Sequence, residues 1–208
     1  MRSFIVGFWS SVFAVIGKIS TFYLITRIFP RMRNAGFVDA WVLGHLLLAL
    51  VSLLIASRYP GAILSSLLVC YGVLRVAEIA IYQANVLLFD EYRAFKAGRK
   101  YALEGYRRIV LLLLHNYAEI IVWLAGTYTL MSGDFEHKWA DGTNTMLGGL
   151  YSSFITMTTF GDFDLLPKSG LAAVVLLFHA TVGLFMTLLS LARFISLIPA
   201  PKSKDVNG

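Results

Sequence analysis

Four stretches of this chain are each long and apolar enough to cross a lipid bilayer, and nothing else in the sequence restricts its fold as much. A helix needs about 20 mostly apolar residues to traverse the hydrocarbon core. Phe37 to Ser57, Gly61 to about Leu88, Ile109 to Met131 and about Gly170 to Leu197 meet that length. Lipid offers no hydrogen bonds to the backbone, so only helices and closed barrels span it, and apolar runs this long are helical. The sequence therefore predicts an all-α membrane protein. Composition agrees, with 58% of the residues apolar and 14% charged, against roughly 45–50% and about 25% in a soluble domain. Disorder needs the opposite balance and is excluded. The single cysteine, Cys70, can form no intrachain disulfide.

A fifth stretch, Phe4 to about Ile25, is interrupted by Lys18 and diluted by Ser and Thr. It is expected either to cross as a fifth span or to lie in the interface as an amphipathic helix. No small-residue cleavage site follows Gly17, so a removed signal peptide is not expected. Basic residues between the spans alternate. Arg27, Arg31 and Arg33 are followed by Arg58 alone, then by Arg93, Lys96, Arg99, Lys100, Arg107 and Arg108, then by Lys138 and Lys168, and finally by Arg193, Lys202 and Lys204. By the positive-inside rule, residues 27–36, 90–108 and the C-terminus face the cytoplasm and Ser132 to Lys168 faces outside. The net charge of +6 thus marks orientation and contact with anionic membrane lipid, and carries no nucleic-acid signal. The segment from Asp90 to Arg108 has a helical pattern and is expected to lie along the inner surface.

Within the outer segment, Leu147 to Met157 is apolar but only about half the length a span requires. It runs into Thr158, Thr159, Phe160, Gly161, Asp162, Phe163 and Asp164, then Leu165, Leu166 and Pro167, and a full span follows. A short helix, a polar segment and a span read as a re-entrant loop, whose non-helical backbone is tolerated only where it lines water or is buried in protein. The string GLYSSFITMTTFGDFDLLP resembles the pore loop of the potassium-channel superfamily, whose usual form is approximately ALYFSFVTMTTVGYGDIVP. The two align without a gap, Pro167 included, and Gly183 stands 22 residues after Gly161, where the family places an inner-helix glycine. The resemblance covers Ile109 to Leu197; the first hundred residues carry none as specific.

That resemblance implies four or five transmembrane helices with a re-entrant pore helix and filter loop, assembled as a homotetramer around one axis. It implies a passive cation channel in which backbone carbonyls and a threonine hydroxyl replace the hydration shell of permeating potassium or sodium. Thr159, Phe160 and Gly161 match the inner filter positions, and Thr158 precedes them. Asp162 and Phe163 stand where the family has tyrosine and its second glycine. That glycine serves a positive-φ backbone that a Cβ-bearing residue reaches only at a cost. Fewer carbonyl sites imply weak or absent potassium selectivity, and an aspartate at the tyrosine position resembles bacterial non-selective channels reading TVGDG. Asp162 and Asp164 would form carboxylate rings at the outer mouth. Asp162 is expected to act electrostatically, and Asp164 to tie the filter to Tyr151 on the pore helix. The alternatives are a potassium-selective channel with a variant filter and a non-conducting regulatory or interaction protein with a degenerate pore.

On the last helix His179, Gly183, Thr187, Ser190 and Phe194 share one face. Two readings stand: a pore wall with Gly183 as a bend, or a stripe for plain helix packing. Arg75 and Glu78, three apart, are expected to pair; His115 and Glu119, four apart, are expected to form a structural pair, with a proton or ligand relay as the alternative. Lys18 is expected to snorkel. No histidine stands at metal-ligand spacing and no nucleophile stands beside a base, so neither a metal cofactor nor enzymatic catalysis is expected. No span carries a voltage sensor's run of basic residues at every third position. The chain divides into N-terminal membrane helices and a basic linker (1–108), a pore domain (109–198) and a short cytoplasmic tail (199–208) with no room for a sensing domain. Plasma membrane is the expected location, inner membrane in a bacterium.

Overall fold

The computed structural model describes residues 4–32, 34–98, 106–137, 142–158 and 165–197. In chain order these form α1 (Phe4–Ile16), α2 (Thr21–Ile28), α3 (Ala35–Arg58), α4 (Ile63–Lys96), α5 (Tyr106–Leu130), β1 (Phe135–His137), α6 (Met146–Thr158), β2 (Leu165–Pro167) and α7 (Gly170–Leu197). Helices α3, α4, α5 and α7 are each long and apolar enough to cross a membrane, as the four predicted stretches require. The chain has the architecture of an all-α, multi-pass membrane protein.

Burial is distributed as lipid demands. Leu47, Leu67, Leu74, Leu177 and Leu184 are exposed on the long helices, while Arg75, Glu119, Asn116, Gln83 and His179 are buried between them. Water would favour the reverse arrangement. Lipid accepts apolar side chains at the surface and confines polar ones to the bundle interior. The larger of two core clusters runs from Leu53 of α3 and Val76 of α4 through Trp123 of α5 to Met157 of α6 and Met186 of α7. It therefore crosses the sequence boundary near residue 108. Helix α5 is the central element, and its fully buried Trp123 lies against Gly72 of α4, where a Cβ would collide with the indole.

The first segment does not form one straight helix. It breaks at Gly17–Ile19, and the two halves meet at a 67° bend. The cause lies 58 residues away. The Glu78 carboxylate accepts from Ser20 Oγ at 2.5 Å, from Thr21 Oγ1 at 2.8 Å and from the Phe22 backbone N–H at 3.2 Å. A carboxylate at the first turn of α2 satisfies donors that have no intrahelical partner and offsets the positive end of the helix dipole. Ser20 adds its own cap to Tyr23 N–H.

The pair makes further contacts. Phe13 packs on Phe89, Gly17 lies beside Asn85, and Phe22 packs on Phe37 and Trp41. All of these partners lie towards the end of the bundle where α3 begins and α4 finishes. Trp41 is only two turns into α3, about 9 Å from its start. The bend itself is anchored at Glu78, midway along α4, and by length and composition the pair fits either a broken fifth span or a segment that enters and turns back. Glu78→Leu keeps bulk but removes the acceptor, so in a Cys70→Ser background a cysteine placed at Ile19 should react with a thiol reagent at least tenfold faster than beside Glu78. An unchanged rate would mean that Glu78 does not hold the bend.

Asp90 to Lys96 continues α4 as its last two turns and is not a separate surface helix. The helix closes at Ala97 and Gly98, with Gly98 in the left-handed region at φ 66°. Charged residues there end the apolar run without ending the helix. At the opposite end of the bundle, β1 and β2 pair antiparallel with Phe135 opposite Pro167 and His137 opposite Leu165. Leu165 and Phe135 then pack with Tyr128, Ala172 and Leu176.

Candidate functional site

Helix α6 descends along α5 in steps of four residues. Gly149 lies against Ala125 and Thr129, Ser153 Oγ donates to Ile121 O at 2.7 Å, and Tyr117 OH donates to Met157 O at 3.2 Å. Small residues on α6 permit this approach: a Cβ on Gly149 would stand 2.8 Å from the Ala125 carbonyl. Tyr117 lies midway along α5. On the other side, Met157 meets Gly183, midway along α7, where a Cβ would stand 2.7 Å from the Met157 carbonyl. The C-terminus of α6 therefore lies at the middle of the bundle, held from both flanks.

At Leu165 the chain is again at the end of the bundle, beside Ala172. Between Gly183 and Ala172 helix α7 rises about 16 Å. Seven Cα steps separate Thr158 from Leu165, with a reach of about 23 Å, so the connection is long enough. Thr158 is the last described residue before it and its Oγ1 donates to Phe154 O at 2.8 Å. The other predicted filter residues, Thr159, Phe160, Gly161, Asp162, Phe163, and the mouth residue Asp164, lie outside the described residues. So does the Asp164 end of the tie expected for Tyr151. Tyr151 itself is 46% exposed, on the α6 face that also carries Leu147 and Phe154.

The polar stripe of α7 divides into two parts. His179 is fully buried, with Nδ1 2.8 Å from Tyr128 OH and its ring stacked on that tyrosine. Gly183 serves the close approach to α6. Both residues pack within the chain. Thr187 Oγ1 lies 3.1 Å from Tyr117 OH, the same hydroxyl that reaches Met157 O, so α5, α6 and α7 share one polar junction. Further along, Ser190 donates to Met186 O of its own helix and Phe194 is exposed.

The strongest polar constellation lies elsewhere, and the sequence shows only half of it. Arg75 pairs with Glu78 at 2.9 Å, as its spacing predicts, and also with Glu119 of α5 at 2.8 Å. Glu119 is fully buried and also accepts from Trp123 Nε1 at 3.2 Å. The expected His115–Glu119 pair does not form. His115 Nδ1 instead lies 2.7 Å from Leu111 O, because α5 turns Glu119 inward to a cation that no spacing within α5 could disclose. Trp41 lies over the Arg75 guanidinium at 5.8 Å, and His45 bridges the Trp41 carbonyl and Tyr71 OH. This chain of contacts connects the bend at Ser20 to α5, the helix on which α6 rests. Among the described residues no three His, Cys, Asp or Glu side chains are grouped to hold a metal ion. No model of a known protein family, no curated protein and no solved structure matches the chain.

Proposed function

We propose that this chain is one subunit of a homotetrameric cation channel. Its pore would be formed by α5, α6, α7 and the segment that follows α6. The observation that carries the reading is the end of α6 at mid-depth, with the chain back at the same face of the bundle by Leu165. Membrane proteins place non-helical backbone at that depth where it lines water or is buried in protein. The carbonyl end of α6 also points to the centre of the bundle, where its partial negative charge favours a cation over an anion. The TTFGDFD sequence from Thr158 to Asp164 supplies the chemistry, with carbonyl and hydroxyl ligands for potassium or sodium and carboxylates at the mouth. Asp162 and Phe163 in place of the family's usual residues leave weak or absent potassium selectivity as the best reading. Permeation is passive, and by the positive-inside rule the basic helix ends favour a pore mouth on the outer face.

Purified protein in planar bilayers is expected to pass cation current, and Gly161→Leu to abolish it without changing the thermal midpoint. In mixed sodium and potassium the reversal potential should lie near zero; a value at the potassium equilibrium potential would establish a selective channel instead. Absence of current from protein that is monomeric or dimeric in detergent would overturn the channel reading in favour of a non-conducting interaction protein.

A further inference from the structure

Between the broken α1–α2 pair and α4 lies a cavity of about 750 Å³, within the range of about 300–1,000 Å³ that holds small molecules. It follows α4 from Tyr71 to Asn85, about 21 Å, somewhat more than the depth of one leaflet at about 15 Å. We propose that it binds an acyl chain of an anionic glycerophospholipid, with the lipid phosphate at Arg108. The walls are apolar along most of their length, including Ile16, Ile19, Val38, Leu74 and Ile81. Arg75 and Glu78 reach the deep end, but their polar atoms are already engaged with one another and with Ser20, Thr21 and Glu119.

Polar groups gather at the other end, where Asn34, Asn85 and Arg108 line the mouth. Arg108 uses Nη2 on Asp39 and the Ala35 carbonyl, its Nε has no partner among the described residues, and its side chain is 37% exposed. Cations predominate at this end, with Arg27, Arg31, Arg93, Lys96, Arg107 and Arg108 against Asp39, Asp90 and Glu91. That balance selects an anionic headgroup over a zwitterionic one.

The test uses the full chain in detergent. A phosphatidylglycerol with a photoactivatable diazirine on its acyl chain should label Ala77 or Ile81 ahead of the outward-facing Leu47 and Leu177. Labelling confined to Leu47, Leu177 and similar outward positions would overturn the proposal. In native mass spectrometry the wild type should retain dioleoyl phosphatidylglycerol at least fivefold better than dioleoyl phosphatidylcholine. Arg108→Gln should abolish that preference, and Ala77→Phe, which fills the cavity, should lower retention of both lipids at least tenfold. Equal retention of the two lipids by the wild type, or unchanged retention by a folded Ala77→Phe variant, would overturn it as well. The labelling arm uses wild-type protein and decides the matter even if a variant fails to fold.

Discussion

Arg75→Leu is expected to lower stability by about 3–5 kcal/mol, the usual cost of removing one partner from a buried ion pair. Arg75 is 5% exposed and is the cation that both Glu78 and Glu119 share. Without it two carboxylates remain in the bundle interior. Glu78 keeps Ser20, Thr21 and the Phe22 N–H, whereas Glu119 keeps only the Trp123 indole, with its Oε2 already lacking a partner among the described residues. The double variant Arg75→Leu/Glu119→Leu should therefore recover most of the loss, because it leaves no uncompensated charge on α5. Thermal or denaturant unfolding in detergent of the wild type, both single variants and the double variant would measure the coupling. Additive losses in the double variant would show that the pair acts independently and that the argument is wrong.

The second large effect is expected at Gly183, and its sign opposes helix propensity. Alanine normally stabilises a helix interior over glycine by about 1 kcal/mol. At Gly183 the added methyl would stand 2.7 Å from the Met157 carbonyl and 3.2 Å from its Cα. Both neighbours are backbone, fixed by Tyr117 from the other side, and neither can rotate away. Gly183→Ala should destabilise by about 1–3 kcal/mol, with Gly183→Val worse, and on the proposed channel function both should remove cation current by displacing the end of α6. Gly44 of α3 is the control: nothing lies within 4 Å of a Cβ there, and Gly44→Ala should be neutral or stabilising. If Gly44→Ala and Gly183→Ala behave alike, the α6–α7 contact does not constrain α6.

The long helices were readable because an apolar run of sufficient length is a local property. Gly170 to Leu197 coincides with α7, and Leu147 to Met157 lies within α6 with one residue to spare at either end. Where polarity and helicity part company, the reading falls short. Helix α4 continues eight residues beyond Leu88 because Asp90, Glu91, Arg93 and Lys96 are helix-compatible side chains outside the apolar layer. The break at Gly17–Ile19 was not legible, since its cause is a carboxylate on another helix. The same holds for Glu119. A partner four residues away on the same helix was visible in His115, while the one that won, Arg75, is 44 residues distant. The α7 stripe was correctly placed on one face, but periodicity does not tell what a face meets, and His179 and Gly183 meet α5 and α6.

The β1–β2 pair has a consequence for how such a protein can vary. Leu165 stands opposite His137 in the ribbon, and Lys168 N–H donates to the Asp134 carbonyl, immediately before α7 begins at Gly170. The ribbon acts as a clasp that closes the chain around α6, so α7 takes its register from the clasp rather than from the residues inside it. The loop-closure entropy of the enclosed segment depends only weakly on its length. Substitution between Thr158 and Leu165 therefore need not be transmitted to the helix bundle. The bundle and the segment the clasp encloses can vary independently.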